Sequence, residues 1–230
     1  MNRNLVSINQ PYFFPYFGYF RLLARSDLFV SLDNVNMIKK GFVHRNYLVV
    51  NRNRNMFTVP LDRVSQNKRI CQTYTKNLIS FYDQFKMLVE KEYRAYPYYD
   101  HTRSVLEKLE VREDIPISQL AVKSIQSVCD FLEIDLNLVE SSSLDLEGFF
   151  GQQRIIEICK LTSAYKYLNL PSGVALYNKS DFRRVGIELE FLDPPDANFK
   201  EWLDEDGLPL SILDTLSRFP KEVIRDRLSQ

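Results

Sequence analysis

The sequence predicts an α/β fold: three layers on a mixed, mainly parallel sheet, with an N-terminal βαβ unit, a β-hairpin insertion and a helical middle segment. Three observations predict it. Strand-like and helix-like patterns alternate near both ends of the chain, a polar turn joins two β-prone runs after the first alternation, and residues 77 to 133 carry helical apolar spacing. With 230 residues and only 7 Gly and 10 Pro, the chain has material for one large core and little for long linkers. One domain over 1–230 is expected, with its helical subregion at about 77–133.

Leu5 to Ile8 is short, apolar and β-prone, and Asn9-Gln10-Pro11 ends it as a loop. Beyond Pro15, the spacing of Tyr19, Leu22 and Leu23 is that of one helical face, and Leu28 to Leu32 reads as the next strand. Strand, helix, strand in about thirty residues is the signature of a parallel βαβ unit. Phe42 to Val50 and Met56 to Leu61 flank the polar stretch Asn51 to Asn55 and predict a hairpin. Breaks at Tyr96-Pro97 and Asp114-Ile115-Pro116 divide the helical middle, and Leu136 to Val139 is a further short strand. Then come a helix from Gly151, a strand at 165–170, a Pro-Ser-Gly turn, a helix over 175–185 and a strand at 187–192. Two short helices separated at Pro220 close the pattern.

Thirty basic side chains balance thirty acidic ones, so no global field holds a polyanion and a nucleic-acid partner is not expected. Cys71, Cys129 and Cys159 are odd in number and lack metal or redox spacing; with two histidines, no metal site is expected. A reducing, cytoplasmic setting follows, with no signal sequence at the start and no apolar run long enough to span a bilayer. No GxGxxG, phosphate loop, GxSxG elbow or HExxH occurs.

In an open parallel sheet, ligands bind beyond the carboxyl ends of the strands. Seven aromatic side chains stand among the nine residues Tyr12 to Phe20, in the first loop at that edge. Most are expected to pack in the core, with Tyr12 and Tyr19 facing a ligand because buried hydroxyls need partners. Gln10 and Asp33-Asn34 follow the first two strands, and Asn169 and Ser172 follow a later one, so they are expected to meet in one crevice suited to hydroxyl-rich molecules. Each is equally a turn former or helix cap. Residues 39 to 46, Lys-Lys-Gly-Phe-Val-His-Arg-Asn, put Lys39, Lys40 and Arg45 forward for phosphate or carboxylate and His44 for acid–base work. The same residues also suit a charge-guarded edge strand. Gln152 and Arg154 open a helix whose free backbone donors favour an anion. Asp214 either holds a cation or faces water, and His101 is expected at the surface.

The ordered motifs INQPYFFPYFGYF, SDLFVSLDNV, KKGFVHRN, GQQRIIEICK, YLNLPSG, LYNKSDF, GIELEFL and LSILD, from about Ser7 to Asp214, resemble the WbqC-like family. The resemblance implies a bacterial protein of O-antigen (lipopolysaccharide) and other surface-polysaccharide gene clusters, with glycine or other aminoacyl transfer onto a sugar as the family-level activity. Its characteristic positions fall here on Gln10, Pro11, Tyr12, Pro15, Gly18, Tyr19, Asp33, Lys39 or Lys40, Arg45, Asn46, Gln152, Arg154, Asn169, Gly173 and Tyr177. Asn34 stands where a second acidic residue is expected, which speaks against a site of adjacent carboxylates. A looser similarity to nucleotidylyltransferase-type folds extends to the fold alone, since Tyr19 replaces the phosphate-gripping histidine.

Two readings follow. One is a transferase in which His44 and Asp33 are the catalytic groups and Gln10, Tyr12, Tyr19, Lys39, Lys40, Arg45, Asn46, Gln152, Arg154, Asn169, Ser172 and Tyr177 bind a nucleotide sugar or aminoacyl donor. The other is a non-catalytic binding or scaffold protein of the same pathway. Neither the cofactor nor the oligomeric state is legible in the sequence.

Overall fold

In the computed structural model, residues 4–63, 65, 67–193, 202–204 and 206–228 are described. The first three residues, on which the expectation about a leader bears, lie outside them. Strand β1 (Asn4–Asn9) leads through helix α1 (Phe17–Ala24) to β2 (Leu28–Ser31). The hairpin β3 (Arg45–Val50) and β4 (Asn53–Thr58) follows, then α2 (Leu78–Tyr93), α3 (Tyr99–Lys108) and α4 (Ile117–Leu132). The chain returns to the sheet with β5 (Leu138–Glu140), α5 (Gly151–Leu161), β6 (Ala164–Asn169), α6 (Lys179–Arg184) and β7 (Glu188–Phe191), and α7 (Ile212–Arg218) and α8 (Lys221–Leu228) come last.

The five-stranded sheet has the order β5-β2-β1-β6-β7, and each neighbouring pair in it is parallel. The antiparallel pairing of the predicted mixed class sits in the separate β3-β4 hairpin. From β1 the chain first builds outward through β2 and β5, then crosses to the other side of β1 with β6 and β7. The direction of winding therefore switches between β1 and β6, where an open α/β sheet leaves a crevice.

Strand alternation makes the layers. Val6, Ile8, Leu28 and Val30 point to one face and pack with Ile155 and Ile158 of α5 and Phe182 of α6. Phe29 points to the other face, into a core shared with α1, α2, α4 and the hairpin. Leu168 meets Leu22 of α1 there, while Tyr167, its neighbour, faces the α5 side.

Several boundaries differ from the predicted ones for local reasons. The first hairpin strand begins at Arg45 rather than Phe42, because Gly41 donates to the Ile38 carbonyl at 2.9 Å and Lys40 adopts φ 71° in a preceding turn. The hairpin loop is only Asn51-Arg52, with φ 50° and 62°, the two left-handed residues of a type I′ turn, so Asn53 to Asn55 belong to β4. The predicted helix over 175–185 is two pieces. A 3₁₀ segment spans Pro171–Leu176, and α6 starts afresh with the Asn178 side chain accepting from the Ser180 amide.

The aromatic loop is mostly core. Phe13, Phe14, Tyr19 and Phe20 are fully buried, and Phe13 lies 5.8 Å from Phe85 of α2. Full burial of such rings stabilises by about 1.5–3 kcal/mol each.

Candidate functional site at the carboxyl edge of the sheet

The central strands β1 and β6 end alike, in Asn9-Gln10-Pro11 and Asn169-Leu170-Pro171. Each asparagine Oδ1 accepts from the next residue's amide at 2.8 Å. Each asparagine carbonyl also accepts, at 2.8 Å, from the residue leaving the neighbouring strand, Leu32 in one case and Leu192 in the other. A proline two residues later cannot extend the ladder, so both strands stop at this edge. Asn9 was not among the expected site residues, although the repeated Asn-X-Pro pattern marks it. Gly173 follows from the same geometry: a Cβ there would lie 2.3 Å from Asn169 Nδ2.

Gln10 and Asp33 leave adjacent parallel strands, as expected, but Asp33 is spent internally. Its Oδ1 accepts from Ser141 Oγ at 3.0 Å and from the Ser142 amide at 2.8 Å, and its Oδ2 accepts from Ser142 Oγ at 2.7 Å. At 1% exposure it ties the exit of β2 to that of β5 instead of orienting a substrate hydroxyl. Tyr19 is likewise taken, since its buried hydroxyl donates to the Gln10 carbonyl at 2.9 Å. Asn46, buried on β3, donates through Nδ2 to the Phe14 carbonyl. These three side chains build the edge rather than face a ligand. Tyr12 is half-buried, 5.7 Å from the Tyr19 ring.

His44 sits in the turn before β3. Burial first, and then the neighbouring Arg45 charge, lowers its pKa to about 4, so the ring is neutral near pH 7. Arg45 Nε donates to the Gly41 carbonyl at 2.7 Å. Lys39 and Lys40 are exposed and form no ion pair among the described residues. Asp214 is buried, with Arg218 at 3.1 Å and Tyr93 at 3.3 Å, so it does hold a cation, one of its own helix. His101 is half-buried and stacks 5.5 Å from Tyr98.

A cleft of about 480 Å³ opens beside the end of β2, under the start of α5 and the segment after β6. It gathers Asn34, Gln152, Arg154 and Tyr177 with two residues the sequence reading missed, Arg69 and Phe150. Gly151, at φ 51°, takes a left-handed conformation that suits glycine and turns the chain into α5. Gln152 Nε2 donates to Asp181 Oδ2 at 2.6 Å and its Oε1 accepts from the Asn178 amide at 2.6 Å, which braces α5 against α6. Tyr177 shares a hydrogen bond with Tyr167, and burial raises its pKa. Asn34 Oδ1 is buried without a hydrogen-bond partner. Arg154 is 8% exposed; its Nε donates to the Phe149 carbonyl at 2.8 Å and its Nη1 to the Asn34 carbonyl. Burial, and next the Arg69 charge, lowers the Arg154 pKa.

Arg69 reaches the cleft because residues 33 to 37 run alongside 68 to 71. Ile70 donates to the Val35 carbonyl at 2.9 Å, Cys71 to that of Asp33 at 3.1 Å, and Asn36 and Arg69 form an antiparallel bridge. Of the remaining expected residues, Ser172 lines a second cavity of about 360 Å³ on the α1 side, with Tyr16 and Leu170. Asn169 is buried, and like Gln10, His44, Arg45, Lys39 and Lys40 it lines neither.

Comparison with known proteins adds identity to this geometry. The family model described as the WbqC-like protein family matches residues 10–226. A relative, the uncharacterized protein Rv1507c of Mycobacterium tuberculosis, is 25% identical over 193 residues, which cover 82% of this chain and 81% of that protein. No solved structure matches. Among the described residues, no helix is long and apolar enough to cross a membrane.

Proposed function

The chain belongs to the WbqC-like protein family, and from that premise we propose that it is a cytoplasmic transferase of bacterial surface-polysaccharide (O-antigen) biosynthesis. In this reading it passes glycine or another aminoacyl group to a sugar or nucleotide-sugar intermediate. The observation that carries the reading is the cleft at the carboxyl edge of the parallel sheet, large enough for a small molecule and lined by Asn34, Gln152 and Tyr177. Amides donate and accept at once, which suits a ligand rich in hydroxyls.

A thermal-shift screen against nucleotide sugars, free amino acids and aminoacyl donors tests it. A ligand present at about 100 times its Kd stabilises by about 2.7 kcal/mol, which a melting curve reads easily. The expected result is a rise with a nucleotide sugar and transfer of a labelled aminoacyl group to it; no rise with any of the three classes overturns the reading.

A second reading is favoured by one feature. Phe150 and Leu176 stand at the cleft mouth at 73% and 70% exposure, as apolar contacts for another protein would. Binding of a nucleotide sugar without turnover, alone or with any donor, would select that non-catalytic role.

A further inference from the structure

Arg154 presents an electrostatic imbalance. Its side chain is almost wholly covered, yet neither it nor Arg69 forms an ion pair with a carboxylate among the described residues. Asp33, the carboxylate at the exit of β2, is already occupied by Ser141 and Ser142. Two carbonyls hold Nε and Nη1 of Arg154, while Nη2 has no hydrogen-bond partner there and is not sealed from the cleft. A covered guanidinium without a counter-charge is costly, and a second guanidinium on the same wall adds repulsion. Such a pair is stable in company with an anion, and the planar fork of arginine matches phosphate oxygens.

We propose that the Arg69–Arg154 wall of this cleft holds the phosphoryl groups of a phosphorylated ligand, with Asn34 Oδ1 accepting a hydrogen bond from a hydroxyl or amide N–H next to them. The inference deepens the functional reading above and rests on it for the identity of the cleft as the substrate site. It also separates two ends of one ligand. The anionic end lies against Arg69 and Arg154, and the neutral, hydroxyl-bearing end reaches Asn34 and Tyr177. The first turn of α5 opens into the same space through Gly151 and Gln152, so its free amides add to the pull on an anion.

The test is calorimetric titration with inorganic pyrophosphate, a nucleoside diphosphate sugar, and glycine as a carboxylate control. Wild type is expected to bind pyrophosphate and the nucleotide sugar, more weakly as salt rises, and glycine at least ten-fold less tightly. Arg69→Ala removes an exposed side chain and leaves the fold unchanged; it is expected to weaken pyrophosphate at least five-fold. Arg154→Lys keeps charge but loses the fork, and is expected to weaken it similarly, with the melting curve of the unliganded variant recorded to exclude misfolding. Lys108→Ala, at an exposed position of α3 away from the cleft, is the charge control and leaves the affinity unchanged. Failure of wild type to bind pyrophosphate, tighter binding of glycine, or equal losses in Arg69→Ala and Lys108→Ala would overturn the proposal. If pyrophosphate fails while an uncharged sugar or an aminoacyl donor still binds, the phosphate assignment falls and the functional reading stands. If nothing binds, both fall.

Discussion

The Asn46 side chain donates a hydrogen bond of 2.7 Å to the carbonyl of Phe14, a residue of the aromatic loop held at φ 45°. The same carbonyl accepts from Ser211 Oγ at 2.9 Å, and the Phe14 amide donates to Ser124 Oγ at 3.0 Å. Three side chains distant in sequence thus hold one strained residue on both its amide and its carbonyl. A left-handed conformation at a bulky residue costs of order 1–3 kcal/mol and persists only where the surroundings impose it.

Asn46→Ala should therefore destabilise the protein by about 0.5–1.5 kcal/mol, the loss of one of the two hydrogen bonds that the Phe14 carbonyl accepts. For a chain of this length each kcal/mol lowers the melting temperature by roughly 2–4 °C. Denaturant titration gives the free energy directly. A change within experimental error would show that Ser211 alone suffices.

Asp33→Ala should cost about as much or more, because it strips the partners of Ser141 Oγ and both Ser142 donors at once. A double-mutant cycle with Ser142→Ala should return a coupling of roughly 0.5–3 kcal/mol. Zero coupling, with loss of ligand binding in Asp33→Asn at unchanged stability, would return Asp33 to a role at the substrate.

Gly173→Ala places a methyl 2.3 Å from Asn169 Nδ2 and should destabilise by about 1–3 kcal/mol through overpacking. In an Asn169→Ala background the same change should cost less, because the clashing amide is gone. Equal costs in both backgrounds would exclude that clash as the cause.

His44 carries a pH prediction. Its folded pKa of about 4 lies below the ordinary histidine value of 6.5, so the unfolded chain binds its proton first. The stability it contributes is complete above pH 6.5 and is lost as the pH falls towards 4. A His44→Asn variant should lose less stability over that interval than wild type, and an NMR titration of the ring should centre near pH 4. A midpoint at 6 or above would refute the burial of the ring. If His44 also moves a proton in the reaction, the variant should bind ligand normally and lose about 10²–10⁴-fold in turnover.

The parallel βαβ start and the helical middle were legible in apolar spacing, because local periodicity is fixed by which face of an element is buried. Hairpin details were less so. Asn51-Arg52 makes a two-residue turn that composition alone extended to Asn55. Of the expected binding residues, Gln152 and Arg154 were marked by helix-start chemistry and Tyr177 by a family motif, and the three line one cleft. Arg69 carried no such mark, being one cation in a polar connecting stretch.

By itself, then, the sequence determined the kinds of elements, the loop that follows the first strand at Asn9-Gln10-Pro11, and the resemblance to a family. Only the tertiary structure decided that β6 rather than β5 lies beside β1, that Ser141 and Ser142 consume the carboxylate of Asp33, and that Arg69 meets Arg154. Periodicity tells a side chain which way to face. It carries no information about which distant side chain it will meet, and hydrogen bonds and charge pairs depend on that meeting.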